Sequence, residues 1–250
     1  MNTIKKLLVY GSLLVSTIAT AQQTVTRKLS SFGKLDVGGS FLVVMENGSD
    51  ESVKIVAEGV SPDKIITEVK DNELNIRMEK GEYHNIKVKI YITYKGLKEI
   101  NKSGSGDLVC NSELSSADFN LDVSGSGNVT INKKIAAKKV SLSKSGSGSV
   151  SLKALETDDA DFSFSGSGNF EIADGHATKQ SIHLSGSGSV SAYGVKSNEC
   201  IASISGSGNI EVSVSKLLEG KIAGSGSISY QGDAQVKQAG IIGSGRIRKS

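Results

Sequence analysis

The sequence predicts an all-β chain wound into a right-handed, single-stranded parallel β-helix. This is a solenoid of about 20-residue coils with an irregular N-terminal β cap. Three observations predict it. The tripeptide Gly-Ser-Gly starts at Gly104, Gly125, Gly146, Gly166, Gly186, Gly206, Gly224 and Gly243, with successive spacings of 21, 21, 20, 20, 20, 18 and 19 residues. Residues on both sides of each tripeptide alternate apolar and polar, the period of a strand with one buried face. The 29 glycines are spread through this alternation rather than gathered in a linker, and the chain has 1 proline.

The elements follow in order. Lys5 and Lys6 precede an apolar run from Leu7 to Ile18, then Ala19-Thr20-Ala21 and the polar Gln22-Gln23. A charged start, a short apolar stretch and small residues at the end form a secretory signal peptide over residues 1–21. The run is too short for a transmembrane helix, which needs about 20 apolar residues. No cysteine at the cleavage point offers a lipid anchor. Removing the leader leaves 27 basic against 26 acidic residues, so the near-neutral remainder has no electrostatic footprint for nucleic acid. Residues 22–250 read as a single β-helix domain, with irregular coils or a cap over 22–100 and eight Gly-Ser-Gly coils over 101–250.

Within 22–100, Leu35 and Val37, then Gly38-Gly39-Ser40, then Phe41 and Val43 form a variant of the strand–corner–strand unit. Val53, Ile55 and Ala57 alternate, as do Leu74, Ile76 and Met78, and Ile86, Val88, Ile90 and Ile92. Pro62 to Val69 is the one stretch with helical character.

In the repeats, the residue two beyond the second glycine is Leu108, Val129, Val150, Phe170, Val190, Ile210, Ile228 or Ile247. Two further on, only Lys249 breaks an apolar column that begins at Cys110. Leu121 and Val123, Phe162 and Phe164, Ile182 and Leu184 set the same alternation before the corner. A third inward position, at Leu114, Ile135, Leu155 and Val195, is interrupted by Gly175. The corner glycines Gly104, Gly106, Gly125, Gly127, Gly146, Gly148, Gly166, Gly168, Gly186, Gly188, Gly206, Gly208, Gly224, Gly226, Gly243 and Gly245 are structural. They supply positive φ and let stacked backbones approach.

Arg27 to Val37, Gly38 to Val43, Asn72 to Ile76, Ile86 to Ile92, Leu97 to Ile100 and the following Gly-Ser-Gly repeats together resemble the head GIN domain family, labelled "putative auto-transporter adhesin" and common in Bacteroidetes. The likeness covers nearly all of residues 22–250. It implies a right-handed parallel β-helix and an exported protein, and it brings no catalytic residues to carry over.

The middle serines stack as a ladder, and Ser126, Ser147, Ser167, Ser187 and Ser207 form a candidate binding strip; otherwise their hydroxyls satisfy the corner. The leading functional reading is an exported, non-catalytic binding or adhesin-like structural module with an envelope protein or glycan as partner. The alternative is a carbohydrate-active β-helix enzyme, for which Glu171 and Glu211 share a ladder position two coils apart with Ser191 between. Asp158, Asp159 and Asp161 form an acidic run, read as a solvated loop. His84, His176 and His183 have no ligand spacing, so neither metal nor cofactor is expected. No helix follows the Gly-Ser-Gly corners to make a phosphate cradle. Cys110 and Cys200 lie about five coils, roughly 24 Å, apart along the axis. A disulfide needs Cα atoms within about 7 Å, so two free buried thiols are expected.

Overall fold

The computed structural model describes residues 22–250, and the expected leader at 1–21 lies outside them. The described residues form one 21-stranded sheet system of stacked parallel coils, a β-solenoid, around a continuous apolar column. Residues about 20 apart in the chain lie one above the other. Leu142 pairs with Phe162, Phe162 with Ile182, and Ile182 with Ala202. After the corner, Leu108, Val129, Val150, Phe170 and Val190 form the matching column, each at most 1% exposed. The two columns meet inside the corner, where the ring of Phe170 lies 5.2 Å from Phe162 and 4.5 Å from Phe164. Such aromatic pairs contribute roughly 0.5–1.5 kcal/mol beyond their area burial.

The third strand is present. Leu114 pairs with Ile135, Ile135 with Leu155, Leu155 with Gly175, and Gly175 with Val195. Gly175 interrupts the apolar series because a Cβ there would sit 2.0 Å from the Leu155 carbonyl oxygen. Close backbone approach wins over side-chain burial at that point.

At the corner, the two glycines of each tripeptide do different work. The first is at positive φ, from +88° at Gly104 to +136° at Gly224, a region where a Cβ is strained. The second is forced by stacking. A Cβ on Gly148 would lie 2.1 Å from the Gly127 carbonyl oxygen, and one on Gly127 1.8 Å from that of Gly106. Its amide donates down the axis: Gly148 N to Gly125 O at 3.3 Å, Gly188 N to Gly166 O at 3.2 Å, Gly208 N to Gly186 O at 3.0 Å. A second stitch comes from the residue after the tripeptide. Asp107 Oδ1 accepts from Asn128 N at 2.7 Å, Asn128 Oδ1 from Ser149 N at 2.9 Å, and Ser149 Oγ from Asn169 N at 3.3 Å. Each side chain satisfies an amide of the next coil.

The N-terminal third is partly a regular coil and partly an antiparallel cap. Lys34–Gly38 and Leu42–Asn47 stack on Glu99–Ser103 and Leu108–Cys110, with Gly106 N donating to Gly39 O at 3.0 Å. Thus Gly38-Gly39-Ser40 is a further corner beneath Gly104. On its other side the same coil carries Glu73–Met78 and Lys87–Tyr94. Spatial order therefore departs from chain order, because the first coil lies inside the second. Antiparallel strands then close that end: Ile65–Lys70 on Glu73–Met78, Ser52–Glu58 on Lys87–Tyr94, and Gln23–Lys28 on Ser52–Glu58.

The helical expectation for Pro62 to Val69 is corrected. Only Pro62–Lys64 forms a 3-10 turn, and Ile65–Lys70 is a strand. Asp71 and Asn72, at φ 51° and 64°, make a two-residue hairpin turn that returns the chain onto Glu73–Met78. Arg27 pins the entry by donating to Ile65 O, Thr67 Oγ1 and Pro62 O at 2.6, 2.9 and 2.9 Å.

Gly148→Ala is expected to lower the thermal unfolding midpoint by roughly 6 °C or more, since its Cβ meets backbone that cannot turn aside. Ser147→Ala, one residue away on the exposed ridge, should shift it by about 2 °C or less. Thermal unfolding followed by circular dichroism checks both, and equal effects would contradict the stacking contact.

Candidate functional site

An open groove of about 810 Å³ marks the outer face of the solenoid. It runs along the outward face of the strands that lead into the corners. Two ladders face into it. Three residues before each first glycine stand Asp36, Asn101, Asp122, Ser143, Ser163, His183, Ser203 and Lys221, in successive register. Immediately before each first glycine stand Ser103, Ser124, Ser145, Ser165, Ser185, Ser205 and Ala223. Eight coils at a rise of about 4.8 Å give a groove roughly 34 Å long. Acidic Asp36 and Asp122 sit toward one end, with His183 and Lys221 toward the other.

Two lysines occupy the inward position beside this groove. Lys102 and Lys144 stand two residues before Gly104 and Gly146, where neighbouring coils carry Val123, Phe164, Leu184 and Ile204. They are 4% and 3% exposed. Each ammonium donates to a corner carbonyl, Gly104 O at 2.9 Å and Gly146 O at 3.0 Å. Burial holds both amines below the ordinary lysine range. Their charges are thus committed to the inside of the corner.

His183 spans two coils of the groove floor. Its Nδ1 lies 2.6 Å from Ser203 Oγ and its Nε2 3.2 Å from Ser181 Oγ. A serine beside an imidazole is the start of a nucleophilic pair, but such a pair also needs a carboxylate on the ring and free donors for an oxyanion. Among the described residues the second ring nitrogen meets a hydroxyl instead. The strands carrying all three residues are paired on both sides along the axis, which occupies the local amides.

The structure places the sequence-predicted residues as follows. Ser126, Ser147, Ser167, Ser187 and Ser207 are all exposed on the corner ridge, and none lines the groove. Ser187 and Ser207 use their amides to donate to the corner below. The groove hydroxyls belong instead to the serine just before the tripeptide, which sequence reasoning passed over. Its signal was present, since six of the eight tripeptides read Ser-Gly-Ser-Gly.

Glu171 and Glu211 do share a ladder, with Ser191 between them donating to Glu211 at 3.1 Å. They face outward after the corner and do not line the groove. The acidic run is not a loop. Asp158, Asp159 and Asp161 lie in the strand Val150–Gly166, where Asp159 is stacked between Lys139 and Lys179. Unbroken pairing with the coils on both sides extends the strand through these polar residues. His84 and His176 are exposed.

Cys110 and Cys200 are buried free thiols. Cys110 lies 3.4 Å from the Tyr94 hydroxyl, and burial pushes up both groups. Burial pushes the Cys200 thiol up to about 12.

A parallel β-solenoid with a long polar groove along one face defines the class of fold. Within that class, the chain belongs to the family described as "putative auto-transporter adhesin, head GIN domain", whose profile matches residues 31–234. None of the curated proteins matches the chain. Among solved structures it is similar to a putative adhesin from Parabacteroides merdae, at 23% identity and a TM-score of 0.87, covering 92% of this chain and 96% of that one. A protein from Parabacteroides distasonis called a putative lipid binding protein is 28% identical, with a TM-score of 0.84 and the same coverage. A putative adhesin from Parabacteroides distasonis is 21% identical, with a TM-score of 0.80, covering 93% of this chain and 98% of that one.

Two outcomes are expected. Lys144→Met should raise the thermal midpoint at neutral pH, because an apolar side chain of similar length removes a buried charge. The native lysine releases its proton below the unfolded value of 10.5, so in that window the unfolded chain holds more protons and wild-type stability rises with pH. The advantage of the variant should therefore shrink as pH rises toward 10.5; an advantage independent of pH would mean that charge is not its source. In a thiol titration at neutral pH, Cys110 and Cys200 should be silent in the native protein and both react after denaturation.

Proposed function

We propose that this protein is an exported, non-catalytic binding module of the cell envelope, and that the groove before the corners is its binding surface. The observation that carries the reading is the groove itself. It is a continuous row of exposed short polar side chains, repeated coil after coil and held rigid by the stacked corners. Rigid display of this kind lowers the ordering cost of binding. The adhesin description of the family supports the same reading. Export rests on the leader-like residues 1–21.

The similar structure called a putative lipid binding protein favours lipid as a second ligand class. The groove suits it less well. Its outward side chains are hydroxyls and charges, and the apolar residues beneath, such as Phe164 at 5% and Leu184 at 3% exposure, point into the core. An acyl chain there would cover hydroxyls without replacing their hydrogen bonds to water.

The test uses residues 22–250 labelled and titrated onto isolated cell envelopes. Paired Ser165→Tyr and Ser185→Tyr substitutions fill the groove, whereas Ser167→Tyr and Ser187→Tyr load the corner ridge. Saturable binding should weaken about tenfold or more in the groove variant, a loss of about 1.4 kcal/mol, and persist in the ridge variant. Equal binding by both variants and the wild type would remove the groove from the function.

A further inference from the structure

Resting on the groove as the binding surface, we infer that its ligand is a linear polysaccharide lying parallel to the solenoid axis, with about one sugar ring per coil. The two outward ladders repeat once per coil, at about 4.8 Å. Ser124, Ser145, Ser165, Ser185 and Ser205 are consecutive members in direct register. All are exposed, and their hydroxyls make no side-chain hydrogen bond among the described residues. Each hydroxyl can donate one hydrogen bond and accept two. A ligand that satisfies the row must offer both donors and acceptors at nearly the coil spacing.

Three extended ligand classes can be compared on that basis. A peptide strand advances about 3.3 Å per residue and presents like faces about 6.7 Å apart, so it loses register with the ladder within two coils. Nor can it add to the sheet here, because the strands under the groove already pair on both sides. An acyl chain has the length but no hydrogen-bonding groups, so it would bury the serines unsatisfied. An extended chain of 1,4-linked pyranose rings advances by nearly one coil per sugar and carries hydroxyls along its whole edge. It is the class whose chemistry and period both match.

The groove presents no outward phenyl, phenol or indole ring to stack on a sugar: Phe164 is 5% exposed, and the imidazole of His183 is held between Ser181 and Ser203. Each sugar is then held by hydrogen bonds alone, each contributing about 0.5–1.5 kcal/mol net. Useful affinity must accumulate along the chain. Length dependence is therefore the signature of this ligand.

The experiment has two arms on the 22–250 protein. In the first, cell envelopes are treated with periodate, with proteinase or with lipid-extracting solvent before the binding titration. Periodate, which cleaves the 2,3-diol that each 1,4-linked glucose-, xylose- or mannose-type ring carries, should abolish binding, and the other two treatments should leave it. In the second, the β-1,4-linked oligomers of glucose, xylose and mannose compete for envelope binding. In at least one series the inhibitory strength should rise at least about tenfold from disaccharide to hexasaccharide. Binding that survives periodate, or is lost with proteinase or lipid extraction, overturns the inference, as does competition without length dependence in every series. If the groove variant loses envelope binding while periodate has no effect, the groove remains the site and the polysaccharide is wrong. If the groove variant binds like the wild type, the underlying reading fails as well.

Discussion

The contact on which the structure depends is the hydrogen bond from the second glycine of one corner to the first glycine carbonyl of the corner below, as from Gly148 to Gly125. It sets the distance between coils at the tightest point of the turn. A Cβ on Gly148 would fall 2.1 Å from backbone, so no larger residue can stand there while the coils remain in contact. Once the corners stack at that spacing, the strands on either side are brought into parallel register. The apolar column then follows, because Phe162 and Phe170 can meet only if their strands leave the same corner at a fixed angle. The asparagine and serine stitches after the tripeptide reinforce this register without creating it.

The same constraint shapes the candidate site. The strand entering the corner ends on an outward serine in six coils and on Ala223 in the next, and these short exposed side chains leave that face concave. Lys102 and Lys144 show the inward counterpart. The space under the corner accepts a long unbranched chain, and the free carbonyl lone pair of Gly104 or Gly146 accepts an ammonium hydrogen. Support from inside and exposure outside come from one geometric cause. This explains why the site is a continuous strip rather than a pocket with a centre, with Ser203 beside His183 as one step of its ladder.

Much of the solenoid was legible because its information is periodic. Spacing of the tripeptide gave the coil length, and alternation from Leu108 to Cys110 or Phe162 to Phe164 gave the inward face. The groove was less so. Attention to the middle serine pointed to the ridge, whereas the outward residues of the concave face were Ser145, Ser165 and their equivalents, visible in the sequence but indistinguishable in chemistry. The N-terminal cap was least legible. A proline followed by isoleucines resembles a helix start, and only the Asp71-Asn72 turn, with its partner strand, makes Ile65–Lys70 extended.

The sequence by itself determined the repeat, the inward residues and the need for glycine at the corners, since each of these is a local steric or periodic requirement. Tertiary structure alone decided that the coil of Lys34–Gly38 lies between Glu73–Met78 and Glu99–Ser103. It also decided that the strand before the corner, not the corner itself, carries the concave face. The physical reason is that both depend on which backbone edges find each other and how the sheet curves, and neither strand pairing between distant segments nor curvature is encoded by any single stretch of residues.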